Sequence, residues 1–172
     1  MDIRSSILST KSILVQGGDG TAIPAGMVGE KITWTTPPSG QTVTTVETDW
    51  TNAFITLTPG TWLVVATLSA IAKIGSGQAA GSYSAIRMKI TDSSNNIVDG
   101  QYKTMDQFCY AASTAEAGIE VTTPFIFIKS VTSSTILKIR VLGDRTGGGN
   151  PGAINNTASV PSEFYAVRIA GG

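Results

Sequence analysis

The chain has 172 residues, 41% of them apolar, with twelve Lys and Arg balanced by twelve Asp and Glu and no histidine. That length and composition fit one domain burying roughly 70% of the surface its unfolded chain exposes, and a scattered, zero net charge excludes the basic footprint of a nucleic-acid or anionic-membrane binder. Without histidine, imidazole general-base catalysis, Ser/His/Asp and Cys/His triads and every His-containing metal site are excluded as well. The one cysteine, Cys109, rules out an intrachain disulfide.

Charged residues make up only 14% of the chain, and Thr, Ser, Gly, Val and Ile are abundant, which predicts strands joined by Gly/Ser/Asn turns. Residues 1–6 lack the apolar core of a secretory signal, and no run reaches the roughly 20 residues of a membrane span, so a soluble protein is expected. Residues 6–16 carry Ile7, Ile13 and Val15 and precede the Gly17-Gly18-Asp19-Gly20 break, so residues 1–19 read as an attachment arm and 20–172 as the domain. A first strand is predicted over 27–34, ended by Pro37-Pro38, which cannot continue a ladder. Short strands are predicted over 41–47 and 53–58, on either side of a bend at 49–52.

The segment 54–74 is the most informative. After the Pro59-Gly60 turn the even positions Trp62, Val64, Ala66, Leu68, Ala70, Ala72 and Ile74 are all apolar, as one core-facing strand side requires. The odd side mixes Leu63, Val65 and Ile71 with Thr67, Ser69 and Lys73, so part of it must also meet protein. A loop over 75–81 leads to a strand over 83–91, where Ile86, Met88 and Ile90 alternate with Ala85, Arg87 and Lys89. Asp92-Ser93-Ser94-Asn95-Asn96 is a turn by its side-chain chemistry, with a hairpin return over 97–103.

A loop is predicted over 104–118, then a two-faced strand over 119–130 with Phe125 and Phe127 on one side and Ile126 and Ile128 on the other. Residues 136–142 are one-faced. A long Gly/Asn-rich loop is predicted over 143–162. The last strand, 163–170, places Tyr165, Val167 and Ile169 opposite Phe164, Ala166 and Arg168. Two stacked sheets, one covered on both sides and one facing water, would produce this division into two-faced and one-faced strands.

Little in the chain has the pattern of chemistry. The acid pairs Asp92 with Asp99 and Glu116 with Glu120 are the nearest to a glycosidase arrangement, but both lie at turns or loop ends, where solvated acids are ordinary. Asp92, Asn95, Asn96 and Asp99 offer oxygen ligands without the spacing of a calcium loop, and a hairpin turn accounts for all four. The stretch 145–152 has the glycines of a phosphate loop and lacks its Lys-Ser/Thr ending. Asn155-Asn156-Thr157 has the form of a glycosylation sequon, relevant only in a secreted eukaryotic protein. No enzyme activity, metal or cofactor is expected. Tyr83, Tyr102, Phe108 and Tyr110, in or beside predicted loops, are the candidate ligand-contacting aromatics, because a ring can cover the apolar face of a sugar. Packing under a loop or at a subunit boundary is the competing reading. Trp34, Trp50 and Trp62 are assigned to the core.

The strand order, the turn Leu57-Thr58-Pro59-Gly60-Thr61-Trp62 and the late strand 164–169 resemble the tumour-necrosis-factor-like jelly roll, whose inner sheet faces a three-fold axis. More narrowly, Gly26-Met27-Val28-Gly29-Glu30, then Trp50, then 57–62 resemble small tailed-phage virion proteins: fibre heads, head fibres and capsid decoration proteins. The resemblance spans about residues 20 to 170 and implies an all-β, two-sheet jelly-roll sandwich forming a homotrimer. Leu63, Val65, Phe125, Ile126 and Phe164 are then the expected residues around the axis. The function implied is a non-enzymatic knob on the virion, made in the host cytoplasm and joined to other virion proteins through its arm. The alternative is a tail-fibre head that recognises a host surface glycan through the loops at 75–82, 104–118 and 143–162.

Overall fold

Ten strands and no helix form among the residues that the computed structural model describes: 25–34, 41–74, 82–98, 103–110, 117–145, 150–155 and 162–171. In chain order they are β1 (Lys31–Thr33), β2 (Gln41–Thr42), β3 (Thr48–Leu57), β4 (Gly60–Ile74), β5 (Ser82–Asp92), β6 (Lys103–Tyr110), β7 (Ala117–Val131), β8 (Thr135–Arg145), β9 (Asn150–Asn155) and β10 (Glu163–Gly171). A six-stranded sheet has the order β1-β10-β4-β9-β2 with β7 on the other side of β4, and a four-stranded sheet has the order β3-β8-β5-β6. We call them sheets A and B. All pairings are antiparallel.

The chain passes from B to A between β3 and β4, back to B for β5 and β6, to A for β7, to B for β8 and to A for β9 and β10. Repeated crossing between two facing antiparallel sheets is the jelly-roll arrangement, so the chain is an all-β jelly-roll sandwich, as expected. The division by residue pattern follows the two sheets: the strands patterned as two-faced, at 62–72, 121–130 and 163–170, all lie in sheet A, and those patterned as one-faced, at 83–91 and 135–142, lie in sheet B. Burial departs from it in β5, where Ala85 and Lys89 on the side expected to be wet are buried.

The core lies between the sheets. Trp62, Val64, Ala66, Leu68 and Ala70 of β4, with Phe125 of β7 and Phe164 of β10, pack against Trp50, Ile55, Leu57, Ile86, Met88, Ile90, Leu137, Ile139 and Val141 from sheet B. Each large apolar side chain fully withdrawn from water contributes about 2 kcal/mol. Trp50 and Trp62 are buried, and Trp34 packs edge-on against Trp50 and Phe164 at 5.2 and 6.0 Å between centroids.

Several elements differ from the sequence expectation. The first strand is confined to Lys31–Thr33 because Gly26 and Gly29 both take positive φ, +84° and +92°, and turn the chain before it. The strand expected over 41–47 stops at Thr42, where Thr44 and Val46 bond one another in a side-chain turn. The bend at 49–52 lies inside a single strand, β3. Its register with β8 runs from Asp49↔Arg140 to Phe54↔Lys138, so the four residues 50–53 lie opposite the single residue Ile139. Ile97 forms only an isolated bridge to Thr91, and the strand paired with β5 on the side away from β8 is β6, nearly all of it inside the segment expected to be a loop.

The loop expected over 143–162 contains the end of β8 and all of β9. The reason is the length of β4. β10 pairs with it over residues 60–67, which leaves the same edge open along 69–73, and β9 fills it despite its Asn-Pro-Gly composition.

Candidate interaction surface

The outward side of sheet A is built from alternate residues of three neighbouring strands. On β4 these are Leu63 and Val65, on β7 Ile126 and Ile128, and on β10 Tyr165 and Val167. The register arranges them in two rows across the sheet: Ile128, Leu63 and Val167 in one, and Ile126, Val65 and Tyr165 in the next. Ile126 and Ile128 are each 64% exposed, unusual for isoleucine, and the other four are half-buried. Beyond the rows Thr61 Oγ1 and Ser130 Oγ lie 3.0 Å apart at one end, and Thr67 is matched with Pro124 and Glu163 at the other. Lys31 closes the β1 side, its Nζ 4.3 Å from the centre of the Tyr165 ring. An apolar block with a polar border is the anatomy of a contact surface.

The outward side of sheet B is different in kind. A chain of alternating charges crosses it: Lys89 Nζ lies 3.0 Å from Glu47 Oε1, Arg140 contacts the same carboxylate, Arg140 Nε lies 2.9 Å from Asp49 Oδ1, and Lys138 Nζ lies 2.9 Å from Asp49 Oδ2. Further along, Arg87 bonds Asp144 at 2.5 Å and the Tyr83 hydroxyl donates to the same carboxylate at 3.1 Å. Three cations thus share two carboxylates in this chain, while Arg87 and Asp144 pair one to one.

Of the residues expected around an axis, Leu63, Val65 and Ile126 lie on the outward side of sheet A. Phe125 and Phe164 do not. Both are buried in the core, with 0% and 1% exposure, and are corrected from interface to core. In β10 the expected side is the reverse of the observed one: Phe164 shares its side with Ala166 and Arg168, and that side faces the core. In fact Arg168 is buried and neutralised by Glu30, at 2.9 Å. The side of β10 that does face outward carries Tyr165 and Val167.

The described candidate ligand aromatics lie on strands, not in loops. Tyr83 is on β5, half-buried and bonded to Asp144, which raises its phenol above its ordinary value. Phe108 and Tyr110 are on strand β6, in register with Ser84 and Ser82. Tyr102 and the arm residues Ile7, Ile13 and Val15 lie outside the described residues, as do Asp99 and Glu116. Asp92 holds its own turn: its Oδ1 accepts from the backbone of Ser94 and Asn96, and its Oδ2 from the Asn96 amide, all at 2.9 Å. Those bonds, the Asn96 side chain first, hold its carboxyl below the usual value. Among the described residues there is no group of three or more Cys, Asp or Glu placed to hold a metal ion, and no helix long and apolar enough to cross a membrane.

No family model matches the chain, and no curated protein does. Among solved structures it is similar to the Eiger TNF of S. frugiperda, at 11% identity and a TM-score of 0.40, over 84% of this chain and 95% of that one. It is also similar to a chain of the infectious bursal disease virus Gx strain, at 11% identity and a TM-score of 0.38, over 90% of this chain and 40% of that one. For the Gt strain of the same virus the values are 12%, 0.30, 88% and 42%. The chain thus spans about two fifths of the length of these virus chains.

Proposed function

We propose that the chain is a non-enzymatic structural protein of a tailed-phage virion, a homotrimeric knob of the capsid-decoration or head-fibre type. The observation that carries the assembly part is the contrast between the two outward sides. The sheet B side is crossed by ion pairs, with Phe54 and Ile136 exposed beside them, while the sheet A side leaves six apolar residues in two rows with two isoleucines 64% exposed. Burying such a block between like subunits removes it from water with no new charge to neutralise. The phage assignment draws on the resemblance of 26–30, Trp50 and 57–62 to small virion proteins. In this reading residues 1–19 join the knob to other virion proteins, and no cofactor takes part.

The test is the solution mass by light scattering, before and after Val65→Asp. A mass of three times 17.8 kDa that falls, or is replaced by aggregate, in the variant supports the reading. A stable monomer that the substitution leaves unchanged overturns it. Deleting residues 1–18 is expected to leave the trimer folded and abolish incorporation into particles. A receptor-binding fibre head is the alternative, distinguished by glycan-array binding that is lost on Tyr110→Ala.

A further inference from the structure

The break in β3 makes a feature that the assembly does not use. Trp50-Thr51-Asn52-Ala53 occupies the extra length between Asp49↔Arg140 and Phe54↔Lys138, three residues more than β8 supplies. A bulge that only adjusts strand twist usually inserts one residue. This one is held in shape from β2: Gln41 Nε2 donates to the Asp49 carbonyl at 3.3 Å, and the Thr51 backbone N–H donates to Gln41 Oε1 at 2.9 Å. Asn52 sits at its crest with φ +60°, a conformation asparagine tolerates better than most residues.

Beside the crest is a hollow of about 260 Å³, lined chiefly by Asp49, Trp50, Asn52, Phe54, Ile136 and Lys138. Phe54 and Ile136 are 44% and 40% exposed, on a side of the sandwich otherwise covered by ion pairs. Asp49 and Lys138, the two charged residues among those lining the hollow, are paired at 2.9 Å, with Arg140 also on Asp49, so the lining has hydrogen-bonding groups and no unpaired charge. The Trp50 indole N–H is buried and has no acceptor among the described residues.

The only cation lining the hollow, Lys138, is already held by Asp49, which leaves no free cation there for a phosphate or carboxylate, and a metal ion would need several free oxygens. An aromatic ring, an aliphatic neighbour, a side-chain amide and a balanced carboxylate instead suit a ring with one apolar side and hydroxyls at its edge. We propose that this hollow binds a single neutral sugar ring, stacked on Phe54 and hydrogen-bonded by Asn52. It lies on the layer opposite the apolar block, so occupancy does not compete with assembly.

Saturation-transfer NMR with methyl α-glucoside, methyl α-mannoside, methyl β-galactoside and N-acetylglucosamine as probes tests this, alongside tryptophan fluorescence, which Trp50 makes sensitive to the site. At least one probe is expected to bind. Its affinity should fall about tenfold in Phe54→Ala and in Asn52→Gly, the second of which keeps the left-handed backbone and removes the amide. No transfer to any of the four at about 20 mM, or affinity unchanged in both folded variants, overturns the inference. Sugar binding by a monomer would sustain it while the trimer reading fell, and a trimer that ignores all four sugars would do the reverse.

Discussion

Arg168 Nε lies 2.9 Å from Glu30 Oε2, and this pair ties together three separate segments at one end of the sandwich. The guanidinium also donates to the Pro59 carbonyl and the Thr58 hydroxyl, and it sits 4.3 Å over the Trp62 ring. Glu30 Oε2 accepts from the Gly26 backbone at 2.7 Å, while backbone bonds tie Gly29 and Glu30 to Arg168. The arginine side chain is 1% exposed, and a charge so far from water persists only with its partners in place. Glu30→Ala is therefore expected to lower stability by about 3 kcal/mol in urea unfolding. The double variant Glu30→Leu, Arg168→Met should cost less than the sum of the two single changes, and strict additivity would count against the pair.

Gly60, at the start of β4, has φ +147°, and a β-carbon there would lie 2.0 Å from an Arg168 guanidinium nitrogen and 3.0 Å from the Ala170 carbonyl oxygen. Gly60→Ala should destabilise by about 2 kcal/mol or more, from backbone strain together with displacement of the arginine. In an Arg168→Met background the penalty should shrink, because the nearest clash is then relieved. A double-mutant cycle in urea reads this coupling directly.

Val65 and Ile126 face each other across the β4–β7 ladder on the outward side of sheet A. If that side is the subunit contact, Ile126→Asp should shift the sedimentation profile toward monomer or aggregate. Phe54→Asp, an equally drastic change on the outward side of sheet B, should leave the mass unchanged. Equal responses of the two variants would remove the distinction between the sheets.

The Tyr83 hydroxyl donates to Asp144, and ionising the phenol would lose that bond beside a carboxylate, so its titration lies above the ordinary 10.0. A value raised in the folded state means the bond's contribution is complete below about pH 10 and is lost as pH rises through the folded value. The absorbance titration of phenolate, taken as the difference between wild type and Tyr83→Phe, should show this high-pH step. Asp144→Asn should move it down toward 10.0.

The period-two patterning of 60–74, 83–91 and 136–142 made those strands legible, since alternate burial leaves its mark on the chain directly. It also separated the sheets, because a strand covered on both sides differs in composition from one with a wet side. β6 and β9 were not legible. Each forms to complete a ladder whose other strand lies elsewhere in the chain, so the demand for it is written in β5 and β4 rather than in its own residues. The surface at Leu63, Val65 and Ile126 was half legible: the pattern placed apolar residues on both sides of β7 and β10 but could not orient them.

What the sequence determined by itself was the class of structure, the alternation of sides along the strands and the lack of imidazole chemistry, all consequences of residue type and short spacing. Tertiary structure alone decided that Phe125 and Phe164 face inward, that Arg168 is buried, and that Asp49 and Lys138 balance each other beside Phe54. Each of those outcomes depends on a partner far away in the chain, Glu30 for Arg168 most clearly. The free energy of a charge is set by the groups that surround it in space, which local pattern does not contain.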